Sequence, residues 1–210
     1  MIEQYDRHET MLDEATFSIF RDLGRDIFLR GLISSHAGNM SIRRGQSIFI
    51  TRRASMLGRL EEEDIVEVGV ERNDAHVLMA SSEFVVHKAI YASTSALAVV
   101  HAHPPYAVLL SMGRDELIPV DSEGSYFFKK IPVVSPEKTI GSEEAALAVS
   151  ECLRDYKIVL MRGHGSFARG ASLEEAYMLT SSLESSAFFL YHTEAGRREY
   201  RKHSDEYTKW

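Results

Sequence analysis

The chain has 210 residues, 44% of them hydrophobic and 26% charged, which is the composition of an ordinary globular protein with a sizeable core. Its formal net charge of −7 argues against a duplex nucleic acid as partner, because binding phosphates needs a basic surface. One cysteine excludes an internal disulfide, and no signal peptide or membrane-spanning apolar run is recognisable. We therefore expect a single domain over residues 1–210 that is cytoplasmic and binds neither membrane nor nucleic acid.

The first half of the chain predicts one helix followed by several strands. Apolar residues at helical spacing indicate an opening helix over residues 10–30, which Gly31 ends. Its apolar stripe consists of Leu12, Ala15, Ile19, Phe20, Leu23 and Ile27. The predicted strands are 38–42, 47–51, 65–70 and 77–79. The first two flank a turn at 43–46, and an antiparallel hairpin this early argues against a doubly wound parallel sheet.

Ser81, Ser82 and Glu83 precede an apolar helix pattern. The two serines are expected to cap this helix, with Glu83 in its first turn. Exposed N–H groups and the positive end of a helix favour an anion, and two hydroxyls would add donors. Glu83 would then reach a metal or a substrate proton beside that anion. The alternative is that Glu83 only complements the helix dipole.

A pair of histidines follows an apolar run in the middle of the chain. Residues 97–100 predict a buried strand, and alternation along it points His101 and His103 to the same face. A third histidine, His164, follows a second apolar strand at 157–161. Three imidazoles at strand ends would leave coordination positions open, as in a catalytic zinc site. Any one of them can equally be a hydrogen-bonded core or surface residue.

The remaining elements alternate helices with short strands. Predicted helices cover 106–112, 142–153 and 173–194. Ser142 is expected to cap the second helix, and Ser172 with Glu175 forms a capping box for the third. Prolines mark 118–120 and 131–134 as edge strands, with a polar turn at 121–126 between them. The charged tail at 197–210 is expected to be mobile unless it packs on a neighbouring subunit.

Four motifs in register resemble the class II aldolase/adducin family, and within it most closely the L-fuculose-1-phosphate aldolase branch. They are Gly38-Asn39-Met40-Ser41-Ile42-Arg43, Ser81-Ser82-Glu83, His101-Ala102-His103-Pro104 and Gly163-His164-Gly165. The likeness runs from about residue 10 to 195. It implies a three-layer α/β/α fold around a largely antiparallel sheet, and a homotetramer with active sites between subunits.

The resemblance also implies a metal centre and a reaction. Zn²⁺ would be held by His101, His103 and His164, although Mn²⁺ or Co²⁺ also suits three imidazoles. Glu83 would ligate the resting metal and then shuttle a proton at carbon. The implied enzyme reversibly cleaves a ketose 1-phosphate, through a metal-stabilised enediolate, into dihydroxyacetone phosphate and a small aldehyde such as lactaldehyde. Its phosphate would lie on Gly38 and Asn39 and on the two serines before Glu83.

Two departures from the family pattern bear on substrate binding and on the second acid. The family has a Thr-Gly pair in its second phosphate loop, where this chain has Arg53-Ala54, and we expect Arg53 to bind the phosphate instead. The tyrosine that protonates the departing aldehyde from the neighbouring subunit is missing, and its place falls near Asp121. We take Asp121 as the second acid. Other candidates for this role are Glu123, Tyr126 and Tyr207. The alternative is that residues 121–124 form only a solvated turn.

Other reactions of the same metal site remain open. They are epimerisation of a pentulose phosphate at carbon 4, dehydration of a sugar phosphate, and decarboxylation. A non-catalytic role like that of the adducin head domain is disfavoured, because all three histidines and the acidic residue are present.

Overall fold

The computed structural model describes residues 12–70 and 75–196, and within these ranges the chain folds around one eight-stranded sheet. The strands are β1 (Asn39–Arg44), β2 (Ser47–Thr51), β3 (Ile65–Gly69), β4 (Ala98–Ala102), β5 (Glu116–Leu117), β6 (Ile131–Val134), β7 (Ile158–Met161) and β8 (Gly165–Gly170). Their order is β3-β2-β1-β4-β8-β7-β6-β5. All neighbours are antiparallel except β6 and β7, so the prediction of a largely antiparallel sheet is confirmed.

Helices cover both faces of the sheet. They are α1 (Glu14–Leu29), α2 (Phe84–Ser93), α3 (Pro105–Ser111), α4 (Ser122–Phe127), α5 (Glu143–Asp155) and α6 (Leu173–Ala195). Neighbouring residues of β4 face opposite layers: Val99 belongs to the core that α2 and α5 form, and Val100 to the core of α1, α3 and α6. This is the predicted three-layer α/β/α architecture, with one hydrophobic core on each side of the sheet.

The opening helix is confirmed, but its buried face differs from the predicted stripe. Asp13 caps α1 by accepting the Thr16 N–H at 2.7 Å, and Gly31, with a φ of +68°, follows the helix end. Phe17 is buried whereas Ile19 is 37% exposed. Gly24 explains the shift, because a Cβ there would lie 2.4 Å from a backbone carbonyl oxygen. The face of α1 that contains Gly24 therefore packs against the backbone of Leu57.

Several local predictions are wrong. Residues 77–79 are not a strand, because Ala75–Leu78 forms a 3₁₀ helix whose Leu78 is 79% exposed. Residues 118–120 lie outside the sheet, and the edge strand is the two-residue β5 before them. β5 also covers β6, so β6 is not at the edge. Residues 121–126 are not a turn, because Asp121 accepts the Gly124 N–H at 2.8 Å and starts α4.

Strand β8 was not predicted, although it lies between β4 and β7 near the centre of the sheet. Its sequence from Gly165 to Gly170 has one large apolar residue, Phe167, and no alternation that would identify a strand.

The C-terminal helix agrees with its prediction in extent and in part of its capping. Ser172 accepts the Glu175 N–H at 3.3 Å, but Glu175 accepts from the Ala171 N–H at 2.7 Å instead of from Ser172. The charged tail at 197–210 lies outside the described residues. Within them, no helix combines the length and apolar character that a bilayer span requires.

Candidate active site

Three imidazoles converge at one end of the central strands. His101 is in β4, His103 follows the end of that strand, and His164 lies in the turn between β7 and β8. β4 and β8 are antiparallel neighbours, so the end of one strand meets the start of the other. The three ring centroids are 4.8 to 5.0 Å apart, and the nitrogen atoms that could bind a metal lie within 4.8 Å of one another. The sequence prediction that these side chains meet is confirmed.

The ring of His101 is held in one orientation. Its Nδ1 lies 2.9 Å from the Ser166 carbonyl oxygen, and its plane stacks on Phe167 at a centroid distance of 4.1 Å. A carbonyl oxygen can only accept, so Nδ1 carries the proton and Nε2 presents its lone pair to the other two imidazoles. Nε2 lies 3.0 Å from Nε2 of His103. Fixing the tautomer through the distal nitrogen is typical of metal-binding histidines.

All three imidazoles are kept neutral by their surroundings. Burial, reinforced by the other two histidines, holds the pKa of His101 well below its usual range. Burial and His164 lower the pKa of His103 to about 4, and burial also lowers the pKa of His164. A metal requires neutral imidazoles as ligands. The donor set therefore fits a divalent ion such as Zn²⁺ at neutral pH.

Gly165 packs directly against these rings. A Cβ at this position would lie 2.4 Å from the Ala102 carbonyl oxygen and 2.7 Å from Cδ2 of His103. Only a glycine fits here, because the backbone of residue 102 and the ring of His103 lie so close. The sequence indicated this residue through the motif Gly163-His164-Gly165. Ser166, which orients His101 through its backbone, gives no such signal because its side chain is not used for this contact.

Glu83 is buried at the start of α2 but is not a member of the three-histidine group. Its Oε1 accepts the Gly141 N–H at 3.1 Å, and its Oε2 has no partner among the described residues. Burial raises the pKa of Glu83 to about 7, opposed by the bond from Gly141. The same segment forms a backbone hydrogen bond with His164 through Thr139. A short loop therefore links the carboxyl group to the imidazoles.

The capping prediction for α2 is wrong in detail. The N-cap position belongs to Glu83, whose side chain makes no capping bond. The hydroxyl of Ser81 accepts the Glu83 N–H at 3.3 Å, while Ser82 is exposed. Both serines therefore lie one residue further from the helix than expected, in the turn that leads into it.

The residues predicted to bind phosphate come from neighbouring backbone segments. Asn39 is paired with His101 across β1 and β4, and Gly38 precedes it with a φ of +77°. The Ser81 N–H donates to the Thr51 carbonyl at 3.1 Å, which brings the turn before α2 beside the loop after β2. Arg53 is exposed in that loop.

Ala54 has an unusual backbone conformation. Its φ of +61° is the only positive value among non-glycine residues in the described ranges. This is the position where the family pattern has a glycine, and only glycine adopts such a φ without strain. The loop therefore has a left-handed residue at Ala54, the position where the resemblance implies a glycine.

Asp121 is not grouped with the three imidazoles of its own chain. Asp121 caps α4, which packs on α6 on the opposite side of the sheet from α2. Glu123 accepts a hydrogen bond of 2.8 Å from Ser182 of α6, and Tyr126 lies in α4 as well. Tyr207 lies outside the described residues. Neither Asp121 nor Glu123 belongs to the three-histidine group.

Comparison with known proteins gives consistent matches. The model of the class II aldolase and adducin N-terminal domain family matches residues 20–191. The L-fuculose phosphate aldolase of Methanocaldococcus jannaschii is 30% identical over 171 residues, covering 80% of this chain and 91% of that protein. The 3-oxo-tetronate 4-phosphate decarboxylase of Haemophilus influenzae is 30% identical over 184 residues, covering 84% and 87%. The crystal structure of l-fuculose-1-phosphate aldolase from Thermus thermophilus has a TM-score of 0.83 at 42% identity, covering 86% and 95%.

Proposed function

Because the chain belongs to the class II aldolase and adducin family, we propose that it is a metal-dependent aldehyde-lyase acting on a ketose 1-phosphate. The substrate resembles L-fuculose 1-phosphate, and the products of the reversible cleavage are dihydroxyacetone phosphate and a small aldehyde such as lactaldehyde. The observation that carries this proposal is the group of three neutral imidazoles, linked by one loop to a buried carboxyl group.

The proposed metal ligands are His101, His103 and His164, with Zn²⁺ as the expected ion and Mn²⁺ or Co²⁺ as alternatives. Glu83 is proposed as a further ligand of the resting centre, since its Oε2 has no partner in the described part of the chain. When bound, the ion would supply Lewis-acid stabilisation for the negative charge that develops on substrate oxygens as the carbon–carbon bond breaks.

Glu83 is proposed to move the proton at the carbon of dihydroxyacetone phosphate where the bond forms or breaks. In the cleavage direction it donates this proton to carbon, and in the synthesis direction it removes it. With a pKa of about 7, the carboxyl group has both protonation states available near neutral pH. The Gly141 N–H orients one oxygen, so the other is left to face the substrate.

The substrate phosphate is proposed to bind where three backbone segments meet. Gly38 and Asn39 would approach it from β1, Ser81 and Ser82 from the turn before α2, and Arg53 from the loop after β2. The pairing of Ser81 with Thr51 supports this grouping. The guanidinium of Arg53 would supply the positive charge, because it is exposed and can bind phosphate through two parallel hydrogen bonds.

Asp121 is proposed as the second acid, supplied by a neighbouring subunit of a homotetramer. In the synthesis direction it would donate a proton to the aldehyde oxygen, and in the cleavage direction it would take that proton from the sugar hydroxyl. Its Oδ1 is buried without a partner among the described residues, and it is not a member of the three-histidine group of its own chain. We also propose that the chain is a single domain and that it is located in the cytoplasm.

A second candidate is decarboxylation of a sugar-acid phosphate, which the Haemophilus influenzae relative favours. Both reactions leave negative charge on a carbon next to a carbonyl group, so the same metal site could serve either. Epimerisation and dehydration of sugar phosphates are the remaining alternatives.

The proposal is tested by release of aldehyde from L-fuculose 1-phosphate and related ketose 1-phosphates, alongside release of CO₂ from 3-oxo-tetronate 4-phosphate. We expect aldehyde release and solvent deuterium exchange into dihydroxyacetone phosphate. Glu83→Gln should keep zinc and lose exchange, and His103→Ala should lose zinc. The controls are Glu175→Gln, which changes a carboxylate beyond the other end of β8, and His36→Ala, which removes an exposed histidine. If none of the ketose phosphates releases an aldehyde and 3-oxo-tetronate 4-phosphate releases CO₂, the decarboxylase replaces the aldolase as the proposed function.

A further inference from the structure

The segments that carry His103 and His164 are joined through helix α3. This helix begins at Pro105, two residues after His103, and the other segment is attached to its far end by Arg162, two residues before His164. Resting on the metal centre proposed above, we propose that Arg162 is a positioning residue that sets the spacing between these two imidazoles. It acts through the backbone and does not touch the substrate.

The guanidinium of Arg162 makes four hydrogen bonds that hold the turn. Nη1 donates to the Ser111 carbonyl at 2.7 Å and to the Arg114 carbonyl at 3.0 Å. Nη2 donates to Asp115 Oδ1 at 2.6 Å, and Nε donates to Ser135 Oγ at 2.6 Å. One planar side chain therefore connects the turn to the end of α3 and to the segment after β6. A lysine could not reproduce this arrangement, since its ammonium is a single point.

The backbone of the turn adds two further bonds to the same surroundings. The Arg162 N–H donates to the Val134 carbonyl at 2.9 Å, and the Gly163 N–H donates to Ser111 Oγ at 3.0 Å. Ser111 is fully buried, and its hydroxyl donates in turn to the Val108 carbonyl at 2.7 Å. The turn that carries His164 is thus bonded to α3 by both side chain and main chain.

Helix α3 is held at both ends and acts as a rigid spacer. The N–H groups of Tyr106 and Ala107 each donate to the carboxylate of Glu184 at 3.0 Å, which fixes the start of the helix on α6. At its other end, the carbonyl of Ser111, the last residue of the helix, accepts from the positively charged Arg162, an arrangement that suits a helix C-terminus. Seven helical residues span about 10 Å. The helix sets the distance between its two ends, and the bonds of Arg162 set where the turn that carries His164 lies relative to the far end.

The experiment measures the affinity of the metal-free full chain for zinc alone, by competition with a chromophoric chelator. Arg162→Met should weaken zinc binding by about 10- to 100-fold, the usual range for groups that orient a metal ligand. Arg162→Lys keeps the positive charge but not the planar set of N–H donors, and it should weaken zinc binding by a smaller factor. Urea unfolding of each metal-free variant separates loss of affinity from loss of fold.

Arg169→Met is the matched control. Arg169 also donates to backbone carbonyls, those of Leu153 and Tyr156, but near the other end of β8. It should lower stability and leave zinc affinity within twofold of the unmodified chain. The inference is overturned if Arg162→Met folds and binds zinc as tightly as the unmodified chain. If Arg162→Met does not fold, the same criterion applies to Arg162→Lys. The inference is also overturned if Arg169→Met loses as much affinity. Failure of the unmodified chain to bind zinc would instead overturn the proposed function.

Discussion

Ser41 and His87 are joined by a contact of 2.6 Å between the serine Oγ and the imidazole Nδ1, inside the layer between β1 and α2. The same hydroxyl lies 2.7 Å from the hydroxyl of Tyr91. Glu83, His87 and Tyr91 follow each other at intervals of four residues and so lie along one face of α2. Helix α2, which Glu83 precedes as its N-cap, is thereby bonded to the strand that carries Asn39.

Removing the shared hydroxyl should destabilise the protein. Ser41→Ala leaves His87 Nδ1 and the Tyr91 hydroxyl buried without this partner, and such groups cost about 1–3 kcal/mol of folding free energy. Urea unfolding at pH 7 measures the change. Ser93→Ala is the control, because that hydroxyl bonds mainly to its own helix and should contribute little. Equal stability of Ser41→Ala and the unmodified chain would contradict the prediction.

His87 should make the fold sensitive to acid. Burial lowers its pKa to about 3, against an ordinary value of 6.5, so the unfolded chain binds more protons below pH 6.5. Stability from this residue is therefore complete above pH 6.5 and is lost as the pH falls toward 3. At pH 5 the loss is about 2 kcal/mol.

The variant that tests this is His87→Asn, whose amide can keep the bond to Ser41 but does not titrate. Its unfolding free energy should depend less on pH between 6.5 and 4 than that of the unmodified chain, although it is lower at pH 7. Parallel pH profiles for the two proteins would show that His87 contributes nothing to acid sensitivity.

A methyl group at Gly165 should disturb the imidazole group. The new Cβ would lie 2.7 Å from Cδ2 of His103, so the ring or the strand has to move. Overpacking of this kind costs about 1–3 kcal/mol, and we expect Gly165→Ala also to weaken zinc binding by at least tenfold. Titration with a competing chelator measures the affinity. Gly113→Ala, where a Cβ meets nothing within 4 Å, should bind zinc normally. Unchanged zinc affinity in Gly165→Ala would refute the expectation.

Relieving the left-handed conformation of Ala54 should not destabilise the chain. An L-residue at this φ costs about 1–2 kcal/mol, and glycine loses about 0.5–1 kcal/mol through its extra freedom when unfolded. Ala54→Gly is therefore expected to be neutral or stabilising by up to about 1.5 kcal/mol. Ala148→Gly inside α5 is the control and should lose about 1 kcal/mol. Thermal unfolding compares them, and similar losses in both variants would contradict the argument.

The sequence predicted best where one local rule determined the outcome. Gly31 ended α1, Ser142 capped α5, and the two strands flanking residues 43–46 formed the hairpin of β1 and β2. His101 and His103 were expected on one face because side chains alternate along a strand, and their rings do meet.

Features that depend on distant contacts could not be read in the same way. Strand β8 is defined by its pairing with β4 and β7. Its own sequence has no apolar pattern that would predict a strand. The bond from Gly141 to Glu83 joins residues 58 positions apart. Asp121 was expected in a turn, and it caps a helix because α4 packs on α6.

The loop between β6 and α5 meets the candidate site through peptide groups, namely the Gly141 N–H and the Thr139 backbone. Peptide groups are the same whatever side chains they carry, so most side chains of this loop can be replaced without loss of these contacts. Gly141 is the exception, because its φ is +56° and a Cβ would lie 2.7 Å from the Ser82 carbonyl oxygen. Substitutions at the other positions of this loop should therefore leave its contact with the carboxyl group intact, whereas a substitution of Gly141 should disturb it.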